Sequence, residues 1–210
     1  MPRVAVLISG RGSNLQSLID AVHQGQLAVS LACVISNDPQ AAGLARARRA
    51  GVPAEIVDHR AYASREDFAA ALAARVDGYD TDLVILAGFM RILTAGFVER
   101  YHGRLVNIHP SLLPRLPGLQ THERALEAGL AEHGASVHFV TGELDGGPII
   151  AQARVRIGTG DGPESLAARV LEREHVLLPR VVGWLASGRV QLVDGAVVFD
   201  GGPLRAPLTV

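Results

Sequence analysis

Five short apolar runs rich in β-branched residues, at 4–8, 29–35, 54–57, 83–87 and 105–108, recur through the first half of the chain. Each has the length of a strand and little polar alternation, the pattern of a strand buried on both faces. Helix-like stretches separate them. Leu15, Leu18, Ile19 and Val22 fall at helical spacing in 14–23, and Ser64 with Asp67 forms a capping box that opens a helix over 68–76. Strands alternating with helices require crossover connections and predict a mostly parallel, doubly wound α/β sheet with helices on both faces.

The texture changes after Pro110. Pro114, Pro117 and Gly118 mark a loop, and 121–128 reads as a helix. Residues 136–140 and 149–157 alternate apolar and polar side chains as strands do, joined by a turn-rich connection over 142–148. A long helix is expected over 163–185, with Asp161 or Gly162 at its cap and Pro179 as a kink. A small hairpin around Asp194 and Gly195 follows.

At 210 residues the chain is long enough for one well-buried domain, and no Gly-, Pro- or Ser-rich linker divides it. A net charge of -1 gives no long-range attraction for a phosphate backbone, so nucleic acid is not an expected partner. All 20 basic residues are arginine, which excludes a Schiff-base lysine, a pyridoxal-phosphate anchor and a P-loop lysine. Cys33, the single cysteine, sits inside an apolar run and reads as a buried strand thiol. The amino-terminal run at 4–8 is too short for a signal core or a membrane span, which predicts a cytoplasmic protein with no membrane partner.

Three segments can carry chemistry. Ser9-Gly10-Arg11-Gly12-Ser13-Asn14 joins the first strand to the first helix, where free backbone N–H groups and the helix dipole favour an anion. Leu15 replaces the third glycine of a dinucleotide fingerprint, so a single phosphate fits better than a dinucleotide. The same residues would also serve as an ordinary tight turn. Asn107-Ile108-His109-Pro110-Ser111 ends a buried strand, and alternation places Asn107 and His109 on one face. A carboxamide beside an imidazole suits a reaction that builds negative charge on a carbonyl oxygen. A histidine at a strand end is also a common structural residue. In Glu143-Leu144-Asp145-Gly146-Gly147-Pro148, the glycines would supply backbone angles closed to other residues and let Asp145 approach the imidazole. A carboxylate there would favour the charged imidazole; taken alone, Asp145 is a turn aspartate. No His-Glu-x-x-His motif and no Gly-x-Ser-x-Gly elbow is present, so neither a zinc protease site nor acyl-serine chemistry is expected.

Taken together, VAVLISGRGSNLQ, LAGFMRIL, LVNIHPSLLPRLPG, HGASVHFV and ELDGGPII, in this order, resemble the formyltransferase family over nearly the whole chain. GRGSN and the compact length resemble its purine-synthesis branch in particular. The resemblance implies a single Rossmann-like formyltransferase domain, with 1–106 as a nucleotide-binding half and 107–210 as a folate-binding half. It implies two small-molecule ligands, glycinamide ribonucleotide and 10-formyltetrahydrofolate, no metal, and a monomer or weak homodimer. Carried over residue by residue, Gly12, Ser13 and Asn14 would take the substrate phosphate and Glu174 the ribose hydroxyls. Met90, Arg91, Ile92 and Leu93 with Val140, Thr141, Gly142, Glu143 and Leu144 would hold the folate pterin, Asn107 would contact it, and Arg65 would lie near its tail. Asn107, His109 and Asp145 would be catalytic. Leu116, Gln120 and Leu171 depart from the family's pattern, a matter of local substrate contacts. Rival readings are a formyltetrahydrofolate hydrolase, formyl transfer to methionyl-tRNA or a sugar nucleotide, and a phosphate-ligand sensor without catalysis.

Overall fold

The run around Val4–Ile8 becomes β1 (Arg3–Ile8), whose last five residues are fully buried. It forms the middle of a parallel sheet in a computed structural model that describes residues 1–210. The chain divides into two compact units, Met1–Asn107 and Ile108–Val210.

In the first unit β2 (Ser30–Ser36), β3 (Ala54–Ile56), β4 (Leu83–Leu86) and β5 (Leu105–His109) join β1 in the order β3-β2-β1-β4-β5, every pairing parallel. Only a buried strand can be apolar at every position, and β1 and β4 lie inside this array. Four helices connect the strands: α1 (Ser13–His23), α2 (Gly43–Arg49), α3 (Arg65–Asp77) and α4 (Ala95–Arg100). The fold class expected from the sequence is the one observed. Cys33 is buried in β2, and desolvation pushes its thiol pKa up to about 12.

Helix α3 starts three residues before the predicted 68–76, because Ser64 caps the turn that contains Arg65 and Glu66. The capping box is also only half made. Ser64 Oγ accepts from the Asp67 N–H at 3.0 Å, but its own proton goes to the Asp67 carboxylate at 2.7 Å.

In the second unit α5 (Thr121–Glu127) leads into an antiparallel pair, β6 (Glu132–Phe139) with β7 (Ile149–Arg156). β6 begins four residues before the predicted 136–140, since Glu132, His133 and Gly134 hide the apolar signal while still pairing with Arg156, Val155 and Arg154. Helix α6 (Pro163–Ala186) has Gly162 at its N-cap and Pro179 within it. The expected hairpin forms from β8 (Val190–Val193) and β9 (Ala196–Phe199). Two short strands were not foreseen: β10 (Gly202–Pro203), against β9, and β11 (Leu208–Thr209), parallel to β7. No helix is long and apolar enough to cross a membrane.

Candidate active site

In the second unit the end of β5 meets two loops. His109 ends the strand and is 6% exposed. Its Nε2 lies 3.0 Å from the Leu116 carbonyl oxygen, which can only accept, so Nε2 carries a proton. Nδ1 faces Asp145 Oδ2 at 3.5 Å, beyond an ordinary hydrogen bond but close enough for an ion pair once Nδ1 is also protonated. Asp145 Oδ2 is held by the Gly118 N–H at 2.8 Å. The carboxylate therefore has a fixed position next to the imidazole, and its side chain is only 9% exposed.

Residues 111–118 supply the atoms that hold both groups. Ser136 Oγ on β6 donates to the Ser111 carbonyl at 2.7 Å and accepts from the Leu113 N–H at 3.0 Å. Gln152 Nε2 on β7 donates to Ser136 Oγ and to the Leu113 carbonyl. A buried polar network on two paired strands thus pins the backbone that follows His109. Leu116 and Gln120, two of the positions that depart from the family pattern, both adopt left-handed backbone, with φ 56° and 54°.

The turn before β7 corrects one expectation. Neither Gly146 nor Gly147 has positive φ; Asp145 itself does, at 51°. Gly147 is required for space instead, since a Cβ there would strike the Phe139 carbonyl oxygen. A Cβ at Gly146 would meet only the Glu143 side chain. Aspartate is one of the few residues that tolerate this backbone, so the turn aims Asp145 through the residue's own conformation.

His138 completes the cluster and was not singled out from the sequence. Its Nε2 lies 3.8 Å from Asp145 Oδ1, and Nδ1 bonds to the Phe139 carbonyl at 2.8 Å. Burial is the largest influence on this imidazole and lowers its pKa, outweighing the Phe139 carbonyl and Asp145. His138 is therefore a neutral Nδ1–H tautomer at neutral pH. The one signal in the sequence was its position on β6 two residues beyond Ser136, on the same face.

The remaining predicted residues fall as follows. In the first unit Gly12 is the left-handed N-cap of α1 (φ 71°), with Ser13 and Asn14 in its first turn and no side chain capping it. Arg65 opens α3, and its guanidinium donates to the Ile92 carbonyl at 3.2 Å, which joins the predicted tail residue to the 90–93 segment. Met90 and Ile92 are 64% and 66% exposed, and the Met90 N–H is held by Ser9 Oγ. Asn107 pairs with Leu86 through β5 and precedes His109 by one strand repeat. In the second unit Val140, Thr141, Gly142, Glu143 and Leu144 form the connection from β6 to Asp145, with Leu144 exposed. Glu174 lies buried in the middle of α6.

Comparison with known proteins turns this geometry into a family assignment. The family model described as formyl transferase matches residues 2–182. The chain belongs to the formyl transferase family. Phosphoribosylglycinamide formyltransferase of Escherichia coli is 50% identical over 198 residues, covering 94% of this chain and 93% of that protein. The human trifunctional purine biosynthetic protein adenosine-3 is 45% identical over 196 residues, 93% of this chain but 19% of that larger protein. Among solved structures, phosphoribosylglycinamide formyltransferase from Coxiella burnetii, in complex with CHES, superposes with a TM-score of 0.96 at 49% identity, covering 99% and 98% of the two chains. As a family member the chain is a formyltransferase that acts on small molecules, and His109, Asp145 and their supporting loops are its candidate catalytic apparatus.

Proposed function

We propose that this formyltransferase moves the formyl group of 10-formyltetrahydrofolate to the amine of glycinamide ribonucleotide, a step of purine synthesis carried out in the cytoplasm. The observation that carries the reading is the buried His109–Asp145 pair, with Asn107 one strand repeat away. The near-full-length identity to the Escherichia coli enzyme supports the choice of substrates.

In this reading the neutral substrate amine attacks the formamide carbon. The tetrahedral centre carries an oxyanion, which Asn107 and protonated His109 stabilise by hydrogen bonds. Because Nε2 is committed to the Leu116 carbonyl, Nδ1 is the nitrogen left for the reaction. The 3.5 Å gap to Asp145 lets carboxylate and imidazolium share a third atom. Proton transfer to the folate nitrogen then allows collapse and release of tetrahydrofolate. Gly12, Ser13 and Asn14 take the substrate phosphate at the uncapped start of α1, and Glu174 takes the ribose hydroxyls. Arg65, Met90, Arg91, Ile92, Leu93 and the segment from Val140 to Leu144 take the folate. No metal enters any step.

The test mixes purified protein with 10-formyltetrahydrofolate and glycinamide ribonucleotide and follows deformylated folate by absorbance, with and without the amine. Turnover that requires the amine is expected. Turnover that ignores it would make the enzyme a hydrolase, and full activity in His109→Ala would remove the imidazole from the mechanism.

A further inference from the structure

Helix α2 lies against the loop that opens α1, and the contact is made by backbone and one arginine. The Gly43 N–H donates to the Gly10 carbonyl at 3.0 Å. Arg46 Nε donates to the Arg11 carbonyl at 2.9 Å, and its Nη1 reaches Gln16 Oε1 on α1 at 3.1 Å. Gly12 and Gly43 pack so closely that a Cβ on Gly12 would sit 2.6 Å from Gly43 Cα. Nothing in the phosphate reading assigns Arg46 a role.

Peptide geometry gives it one. The peptides here are trans, so each carbonyl points opposite to the N–H of the following residue. Holding the Gly10 carbonyl toward α2 turns the Arg11 N–H away from α2, and holding the Arg11 carbonyl does the same for the Gly12 N–H. The Gln16 N–H takes the next carbonyl, that of Gly12, at 3.0 Å. Two consecutive carbonyls are thus fixed toward α2, which commits the Arg11 and Gly12 N–H groups to the other side, while the Gly12 carbonyl points along α1 and leaves the Ser13 N–H at the open start of that helix. Successive N–H groups aimed together form an anion nest. Both oxygens that Arg46 binds are neutral, so its charge is left to raise the local potential.

We propose that Arg46 is a positioning residue for the substrate phosphate: with the Gly43 N–H it sets the Gly10–Gly12 peptides so that their N–H groups converge on the anion. It need not touch the phosphate itself. The inference rests on the reading of Gly12, Ser13 and Asn14 as the phosphate site, and the experiment separates the two.

Steady-state kinetics would be measured for wild type, Arg46→Met and Arg46→Lys with glycinamide ribonucleotide and with its dephosphorylated riboside, alongside inhibition by inorganic phosphate. Arg46→Met is expected to raise KM for the ribonucleotide about tenfold with kcat within about twofold, and to weaken phosphate inhibition in parallel. Its kcat/KM for the riboside should equal that of wild type. Arg46→Lys, which keeps the charge but loses the two-pronged grip, should fall between them. If Met destabilises the fold, the lysine variant alone must still show the KM rise. An unchanged KM in a folded variant, or an equal loss on both substrates, overturns the positioning role. If wild type itself uses ribonucleotide and riboside equally well, the phosphate site is wrong and the role of Arg46 falls with it.

Discussion

His138 Nε2 lies 3.8 Å from Asp145 Oδ1, the carboxylate oxygen that His109 does not face. One carboxylate therefore stands between two imidazoles of different character. His138 is kept neutral by burial, which outweighs the opposite pull of the Phe139 carbonyl and of Asp145, whereas His109 meets Oδ2, which the Gly118 N–H already orients. A neutral neighbour does not compete for the negative charge, so Asp145 can direct its field at His109.

Replacing Asp145 with Asn keeps the shape and the contact to the Gly118 N–H but removes the charge. Turnover should fall by about two to four orders of magnitude, the range of acid–base assistance, with little change in KM for either substrate. Steady-state kinetics and a thermal melt check this. Near-normal kcat in a well-folded variant would mean that the carboxylate only holds a loop.

The two turn glycines should behave differently. In Gly147→Ala the new methyl meets a backbone oxygen that cannot move aside, so the turn must shift, at a cost of about 1–3 kcal/mol, and carry Asp145 with it. Gly146→Ala meets only the flexible Glu143 side chain. Activity and denaturant midpoints of the two variants should rank with Gly147→Ala clearly the worse, and a reversed order would contradict the packing.

Ser136→Ala would leave the Leu113 N–H without its acceptor and the Ser111 carbonyl without its donor. The expected loss of stability is about 1–3 kcal/mol by urea unfolding, accompanied by reduced turnover because the same backbone holds His109 and Asp145. A stability loss with normal kcat would uncouple the network from the site.

Much of this arrangement was readable from the sequence, and the parts that were not have identifiable causes. β1 and β4 stood out because strands enclosed by neighbours have no polar face to interrupt them, and β5 because its apolar start leads into Asn107 and His109 on one face. α2 was not delimited: it has seven residues, Ala42 as an uncapping N-cap and three arginines in its last turn, so neither stripe nor cap marks it. Asp145 could be proposed as a partner of His109 because a turn can reach a strand end. His138 could not, because strand alternation gives a face but no distance to a turn on the same side. The left-handed residue in that turn was misplaced onto its glycines, since sequence does not separate a glycine needed for its angles from one needed for its lack of a side chain.

Three imidazoles, two of them buried and one half-buried, set a pH limit on the fold. His133 is held down to about 4, by desolvation first and then by the charges of His122 and His109. His122 and His138 are lowered in the same direction, again chiefly by burial. An unfolded chain takes up protons near pH 6.5 that the folded chain refuses. Stability should therefore be complete above that pH and decline as the pH falls toward 4. His133 alone contributes on the order of 3 kcal/mol across the window, at about 1.4 kcal/mol per unit. Urea unfolding at pH 7.5 and 4.5 measures the decline, and His133→Gln should flatten it; an unchanged slope would assign the loss to other groups.

The left-handed backbone of Asp145 also narrows the paths along which this enzyme can drift. Glycine, asparagine and aspartate accept such a conformation at small cost, and only the last carries a charge. Glutamate, the usual neighbour in substitution space, would keep the charge but strain the turn. Main chain and chemistry together therefore favour one residue at position 145, and a lineage that trades this aspartate for glutamate keeps the carboxylate only with the strain that Leu116 and Gln120 already carry nearby.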